Sequence, residues 1–138
     1  MRQMADCVIC RKGRPQDVLL DLAHGWVTAQ PVAALPGYVC VVAKRHVEEP
    51  FELEAPEGHR FWDALMRVAT GVQEATAATK INYEIHGNTI RHLYCHVFPR
   101  YPGDPFEGRP IDPRAPTFAR SPDDLARLRT VILAAVGR

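Results

Sequence analysis

No stretch of this chain is apolar for long enough to cross a bilayer. The longest runs, such as Tyr38 to Ala43, fall far short of the roughly 20 residues a spanning helix needs. A surplus of either charge is also missing: 17 Lys and Arg against 16 Asp and Glu leave a net charge of +1. That balance excludes a surface built to coat nucleic acid and excludes an acidic tail. Internal repeats and low-complexity segments are absent, so no solenoid or array is expected. Met1 to Asp6 is followed by no apolar segment, which argues against a secretory signal. The four cysteines are therefore expected as reduced thiols in the cytoplasm rather than as a disulfide framework.

What remains is ordinary globular material. The 138 residues suffice for one core, and a single domain over 1–138 is expected. Hydrophobic residues at 46% and charged residues at 24% are typical of such a domain. Five of the twelve prolines fall between Pro99 and Pro113, where the backbone must be extended and loop-like.

The chain is organised around His92-Leu93-Tyr94-Cys95-His96-Val97-Phe98-Pro99-Arg100. Its alternation of polar and apolar residues is the period of a half-buried strand, whose successive side chains point to opposite faces. His92, Tyr94 and His96 then share one face, while Leu93, Cys95 and Val97 face the core. Imidazole, phenol and imidazole at adjacent same-face positions make a costly surface to expose without a use.

Shorter strands are expected over Asp17 to Leu22 and Trp26 to Gln30, joined by a turn at His24-Gly25. Pro31 to Pro36 reads as a connection, and Tyr38 to Ala43 as a strand covered on both faces. Helical spacing of Phe61, Leu65, Val68, Val72 and Ala75 marks a long amphipathic helix from Pro56 to about Ala78, with Trp62 and Met66 in core or interface. Ile81 to His86 reads as another strand. Ser121-Pro122-Asp123-Asp124 opens a last helix that Gly137 can end.

Cys7-Val8-Ile9-Cys10 is a CxxC pair without a preceding strand, which disfavours a redox dithiol. Zinc is the better reading, but there is no second CxxC. Cys40 and Cys95 sit inside predicted strands as small buried hydrophobes. The two missing ligands should therefore be histidines, and His46, just past the buried strand, is well placed.

These segments resemble the histidine-triad (HIT) superfamily of nucleotide-binding proteins. Pro36 to Val47 is similar to its "PGH-strand-PKRHV" segment. Asn82 to Arg91, followed by His92 to Arg100, is similar to its His-φ-His-φ-His-φ-φ signature, where φ is apolar. The resemblance covers most of the chain from Cys7 to about Pro113. It implies an α+β fold with a five-stranded antiparallel sheet, one long helix and a C-terminal helix, and a homodimer. In zinc-containing members and the related galactose-1-phosphate uridylyltransferases, the metal is held by the CxxC thiolates, the His after "KR" and the first triad His. By position these are Cys7, Cys10, His46 and His92, a Cys₂His₂ set that leaves no open position and makes the zinc structural.

The middle triad residue is the family's nucleophile, attacking the α-phosphorus of a nucleotide. Here that position is Tyr94. A phenol has an ordinary pKa near 10 and is a poor nucleophile at neutral pH unless a neighbour removes its proton. His96 is the obvious neighbour. Three explanations compete: the hydrolase activity is lost and nucleotide binding remains; Tyr94 with His96 serves a variant reaction; or an ordinary histidine was replaced deliberately. Sliding the register gives no other triad, because His86 stands too far along the chain and position 90 is Ile. Cys95 faces the opposite side.

By the same resemblance Asn88 and Thr89 match polar positions near the phosphates. Thr28 stands where relatives place a ribose-binding Asp or Asn, and offers a single hydrogen bond there. Arg91 could bring positive charge to an anionic substrate, and Arg100 reads as a surface charge. The expected ligand is a purine nucleotide or related phosphate ester, with neither nucleic acid nor membrane as a partner. A specialised enzyme with a different reaction is the alternative.

Overall fold

The structure, a computed structural model, describes residues 6–112, 114–115 and 118–138. Pro113 and the first five residues lie outside them. Elements follow in the order α1 (Val8–Lys12), β1 (Val18–Leu22), β2 (Gly25–Thr28), β3 (Val32–Ala33), β4 (Val39–Val42), α2 (Glu57–Thr76), β5 (Lys80–Glu84), β6 (Tyr94–Arg100), β7 (Phe118–Ala119) and α3 (Pro122–Val136). The expected α+β architecture is present. Five strands form one antiparallel sheet in the order β1-β2-β4-β6-β5.

Alternation along the strands divides the apolar residues between the two faces. Val27, Val39, Val41, Cys95 and Val97 pack on one face against Phe61, Leu65, Val68 and Val72 of α2 and Leu128 and Ile132 of α3. Cys40, Val42 and Phe98 turn to the other face, covered by Cys7 and Ile9, by residues 33–35, and by Phe106 and Ile111. Strand β4 is therefore buried throughout, as its continuous apolar run requires. The two long helices lie on one face, which leaves the polar functional side chains to the other, where the short α1 packs.

Helix α2 stops at Ala77, which takes a left-handed conformation (φ 56°) and donates its N–H to the carbonyl of Gln73. Helix α3 begins as expected. Ser121 accepts from the Asp124 amide while the Asp124 carboxylate accepts from the Ser121 amide, both at 3.0 Å. Gly137 ends it in a right-handed conformation rather than the left-handed one glycine usually supplies. The two helices approach closely at Gly71, where a Cβ would lie 2.7 Å from the Ile132 Cα.

Three local features differ from the sequence reading. The CxxC pair sits at the start of the short helix α1, with Cys7 as its N-cap. Residues 31–36 are more than a connection, because Val32 and Ala33 pair with Ala119 and Phe118 in a two-stranded ribbon. Strand β6 begins at Tyr94, not at His92. The backbone around 92 and 93 bonds instead to the end of β4 and beyond it: the Leu93 N–H donates to the Val47 carbonyl, and the Leu93 carbonyl accepts from the Ala43 N–H. Trp62 and Met66 point away from the core, 39% and 45% exposed. No helix among the described residues is long and apolar enough to cross a membrane.

Candidate functional site

Two clusters of polar side chains flank the start of β6. The first gathers Cys7, Cys10, His46 and His92, whose candidate ligand atoms all lie within 4.8 Å of one another. Helix α1 supplies the sulfurs, the segment after β4 supplies His46, and the turn before β6 supplies His92. Cys7 Sγ is 3.5 Å from His92 Nδ1, Cys10 Sγ is 3.3 Å from His46 Nδ1, and the two Nδ1 atoms are 3.3 Å apart. His92 is buried, and its Nε2–H donates to the Ala43 carbonyl at 2.7 Å. That bond fixes the tautomer, leaving an unprotonated Nδ1 directed at the sulfurs. Burial also lowers the His92 pKa, which keeps the imidazole neutral. The Cys10 thiol is pushed up to about 11 by burial, then by the hydrogen bond and charge of Cys7. The cluster could hold a metal ion.

The second cluster is centred on His96. Antiparallel pairing places His96 opposite Cys40 on one side and Glu84 on the other. Its imidazole is buried and ringed by aromatics: Tyr38 and Phe98 stack on it, while Tyr94 and His86 meet it edge-on with ring centres 5.4 and 5.5 Å away. The Tyr38 phenol oxygen lies 2.6 Å from His96 Nδ1, and Cys40 Sγ lies 3.2 Å from the same nitrogen and 3.1 Å from the phenol. One arrangement uses both available protons: Tyr38 O–H donates to Nδ1, and the Cys40 thiol donates to the phenol oxygen. The remaining imidazole proton is then on Nε2. Burial lowers the His96 pKa to about 4, with the His86 charge adding to the effect, so this ring is neutral at pH 7. In that arrangement His96 offers an N–H donor at Nε2.

Tyr94 is half-buried. Its phenol pKa is raised first by burial and then by Cys40, against a hydrogen bond from the Gly87 backbone. Tyr94, His96, Cys40 and Thr28 line a cavity of about 400 Å³ that extends to Lys12 and Arg14 beside α1. Tyr38 is itself held by Arg120, a buried guanidinium that donates to the carbonyls of Tyr38 and Gln30.

A HIT domain model matches residues 11–103, about two thirds of the chain. The chain is a HIT-domain protein. Solved structures share its fold. A histidine-triad protein from Sinorhizobium meliloti superimposes with a TM-score of 0.78 at 23% identity, covering 96% of this chain and 98% of that one. A zinc-bound histidine-triad family protein from Mycobacterium smegmatis gives 0.64 at 22% identity, covering 98% and 96%. A HIT-like protein from Bartonella henselae, described as involved in cell-cycle regulation and solved with an unknown ligand, gives 0.69 at 18% identity, covering 94% and 96%.

Set on this HIT domain, the sequence-predicted residues fall into three groups. Cys7, Cys10, His46 and His92 come together at one cluster, and Thr28, Tyr94 and His96 at the other cavity. Thr89 lies apart from Tyr94 and His96, lining a smaller cavity beside Cys7 and His46, and Asn88 is exposed. Arg91 is on the same side as Thr89, its charge met by Glu48 at 2.6 Å. Arg100 is no free surface charge: it bonds Asp104, Asn82 and two carbonyls of the loop after β6. His86 is not remote from the triad face, because the β5–β6 pairing carries it to His96. Tyr38 and Cys40 were read only as strand residues. Their signal was the register itself, since an antiparallel partner opposite Cys40 puts both beside His96.

Proposed function

We propose that this HIT-domain protein binds a purine nucleotide or related phosphate ester on the open face of its sheet and acts at the phosphorus as a hydrolase or transferase. The observation that carries the reading is the 2.6 Å contact between the Tyr38 phenol and His96 Nδ1. A buried imidazole whose Nδ1 is occupied by a phenol presents an N–H donor to the cavity, the group type that a phosphoryl oxygen requires. Thr28 on β2, two strands from His96, offers a hydroxyl for the sugar. Lys12 and Arg14 at the cavity's far end supply positive charge for an anion.

Tyr94 stands at the position of the family's nucleophile in this reading. Burial raises its pKa, which favours the second reading, a nucleotide-binding module without turnover. Incubation with adenosine 5′-phosphoramidate and a dinucleoside polyphosphate separates the two. Release of AMP supports chemistry at phosphorus. Saturable AMP binding with no release over hours supports the binding module, and neither binding nor release overturns both. Loss of release in Tyr94→Phe identifies the phenol as a participant.

The metal reading assigns zinc to Cys7, Cys10, His46 and His92. Zn–S and Zn–N bonds of about 2.3 and 2.0–2.1 Å at tetrahedral angles put N···N near 3.3 Å and S···N near 3.6 Å. The observed separations of 3.3 Å and 3.3 to 3.7 Å support that fit. Four protein ligands leave no open position, so zinc here would pin α1 to the start of β6 rather than take part in the reaction. A single domain, a cytoplasmic location and a homodimer complete the proposal. Exposed Trp62 and Met66 on α2 and Tyr83 on the edge strand β5 support association of two copies.

A further inference from the structure

His86 and Glu84 belong to neither the metal cluster nor the triad positions, yet they border the His96 ring. Glu84 is the cross-strand partner of His96, with its side chain 17% exposed, and its Oε1 lies 2.8 Å from His86 Nε2. A carboxylate can only accept, so Nε2 carries the proton. In the neutral ring the lone pair is then on Nδ1. The His86 side chain is 45% exposed and its ring centre is 5.5 Å from that of His96. Tyr94 and His86 each meet the His96 ring edge-on, His86 from the groove that it lines with Glu84 along β5, and the protons of the three rings are distributed unequally. His96 has its Nδ1 blocked by Tyr38 and offers only N–H. His86 pairs a free nitrogen lone pair with a carboxylate able to stabilise the imidazolium.

We propose that His86, oriented by Glu84, is the proton-transfer residue of this site. The inference rests on the reading that the site acts at phosphorus. In the step, His86 Nδ1 takes a proton from water as the water oxygen forms its bond to phosphorus. The bond from phosphorus to the leaving oxygen or nitrogen breaks with its electron pair on the leaving atom. The imidazolium then returns the proton to that atom, restoring neutral His86. His96 N–H holds a phosphoryl oxygen meanwhile, and Glu84 faces the positive charge that forms on His86. A second histidine in this role removes the need for Tyr94 to lose its proton.

The test uses the phenyl ester of AMP as substrate with wild type, His86→Ala, Glu84→Gln and His96→Ala. His86→Ala is expected to lower kcat 10²- to 10⁴-fold, with the Kd for AMP changed less than threefold. Added imidazole at 0.1–1 M, roughly the range used to replace a missing general base, should restore a measurable part of the rate in His86→Ala and none in His96→Ala. Glu84→Gln should give a smaller loss, about tenfold, because the ring remains but its orientation and charge partner weaken. Turnover by His86→Ala within twofold of wild type overturns the proposal and leaves the phosphorus reading intact. Loss of turnover together with equal loss of AMP binding, without imidazole rescue, assigns His86 a structural role and also overturns it. No turnover by the wild type overturns both readings together.

Discussion

Replacing Tyr38 by Phe removes one oxygen from the interior and tests the tautomer assigned to His96. Tyr38 is 6% exposed, so water cannot replace the lost hydroxyl without rearrangement. The deletion removes a bond of 2.6 Å to His96 Nδ1 and a contact of 3.1 Å to Cys40 Sγ. A net hydrogen bond contributes about 1 kcal/mol, and stranding a buried acceptor costs about 1–3 kcal/mol more. The Cys40 thiol, already 3.2 Å from Nδ1, can turn its weak donor to that nitrogen and recover part of the loss. The balance is a destabilisation of about 2 kcal/mol, or roughly 1 M in urea midpoint at an m value of about 2 kcal/mol/M. Urea unfolding followed by fluorescence measures the first quantity. Long-range proton–nitrogen NMR of the histidines measures the second, and in the wild type it should find Nδ1 of His96 unprotonated and Nε2 protonated. A midpoint unchanged by the substitution, or a proton on Nδ1 in the wild type, would refute the reasoning.

Asp104→Ala should destabilise by about 3 kcal/mol, because it leaves the Arg100 guanidinium buried without its carboxylate and frees the Tyr101 and Phe106 amides; faster proteolysis within residues 101–110 would register it. Gly71→Ala sets a gain of about 1 kcal/mol in helix propensity against a Cβ forced to within 2.7 Å of the Ile132 backbone, and should lose about 1 kcal/mol net by thermal unfolding. Acid should weaken the protein in two stages. Unfolded His96 binds its proton near 6.5 and the folded form only near about 4, so its contribution is intact above pH 6.5 and lost as pH falls through 4. The ceiling is roughly 3 kcal/mol, and His96→Gln should flatten most of this stage. Asp104, held at about 2 chiefly by Arg100, contributes above pH 3.8 and loses its share as pH falls through 2. Urea midpoints measured from pH 8 to pH 2 trace both.

The architecture was legible because it depends on periodicity. Alternation in residues 92–100, the unbroken apolar run of 38–43 and the helical spacing from Phe61 to Ala75 each follow from which faces must be buried. The serine cap of α3 was equally local. Legibility ended where function depends on pairing between distant segments. Tyr38, Cys40, Glu84 and His86 reach His96 only through the register of β4 and β5 against β6, and no window of sequence contains that register. Arg100 was misread for a related reason: its carboxylate partner stands four residues away in a loop whose turn cannot be drawn from composition. Thr89 was placed by resemblance alone, and the turn before β6 sets it in the cavity beside Cys7 and His46.

The division of labour between residues 92 and 96 is tested most directly by zinc K-edge X-ray absorption on protein carrying one equivalent of the metal. Two sulfur scatterers at about 2.3 Å and two imidazole nitrogens at about 2.0–2.1 Å are expected, with Cys7→Ser removing one sulfur and His96→Ala changing nothing. A shell without sulfur, or one altered by His96→Ala, would contradict it.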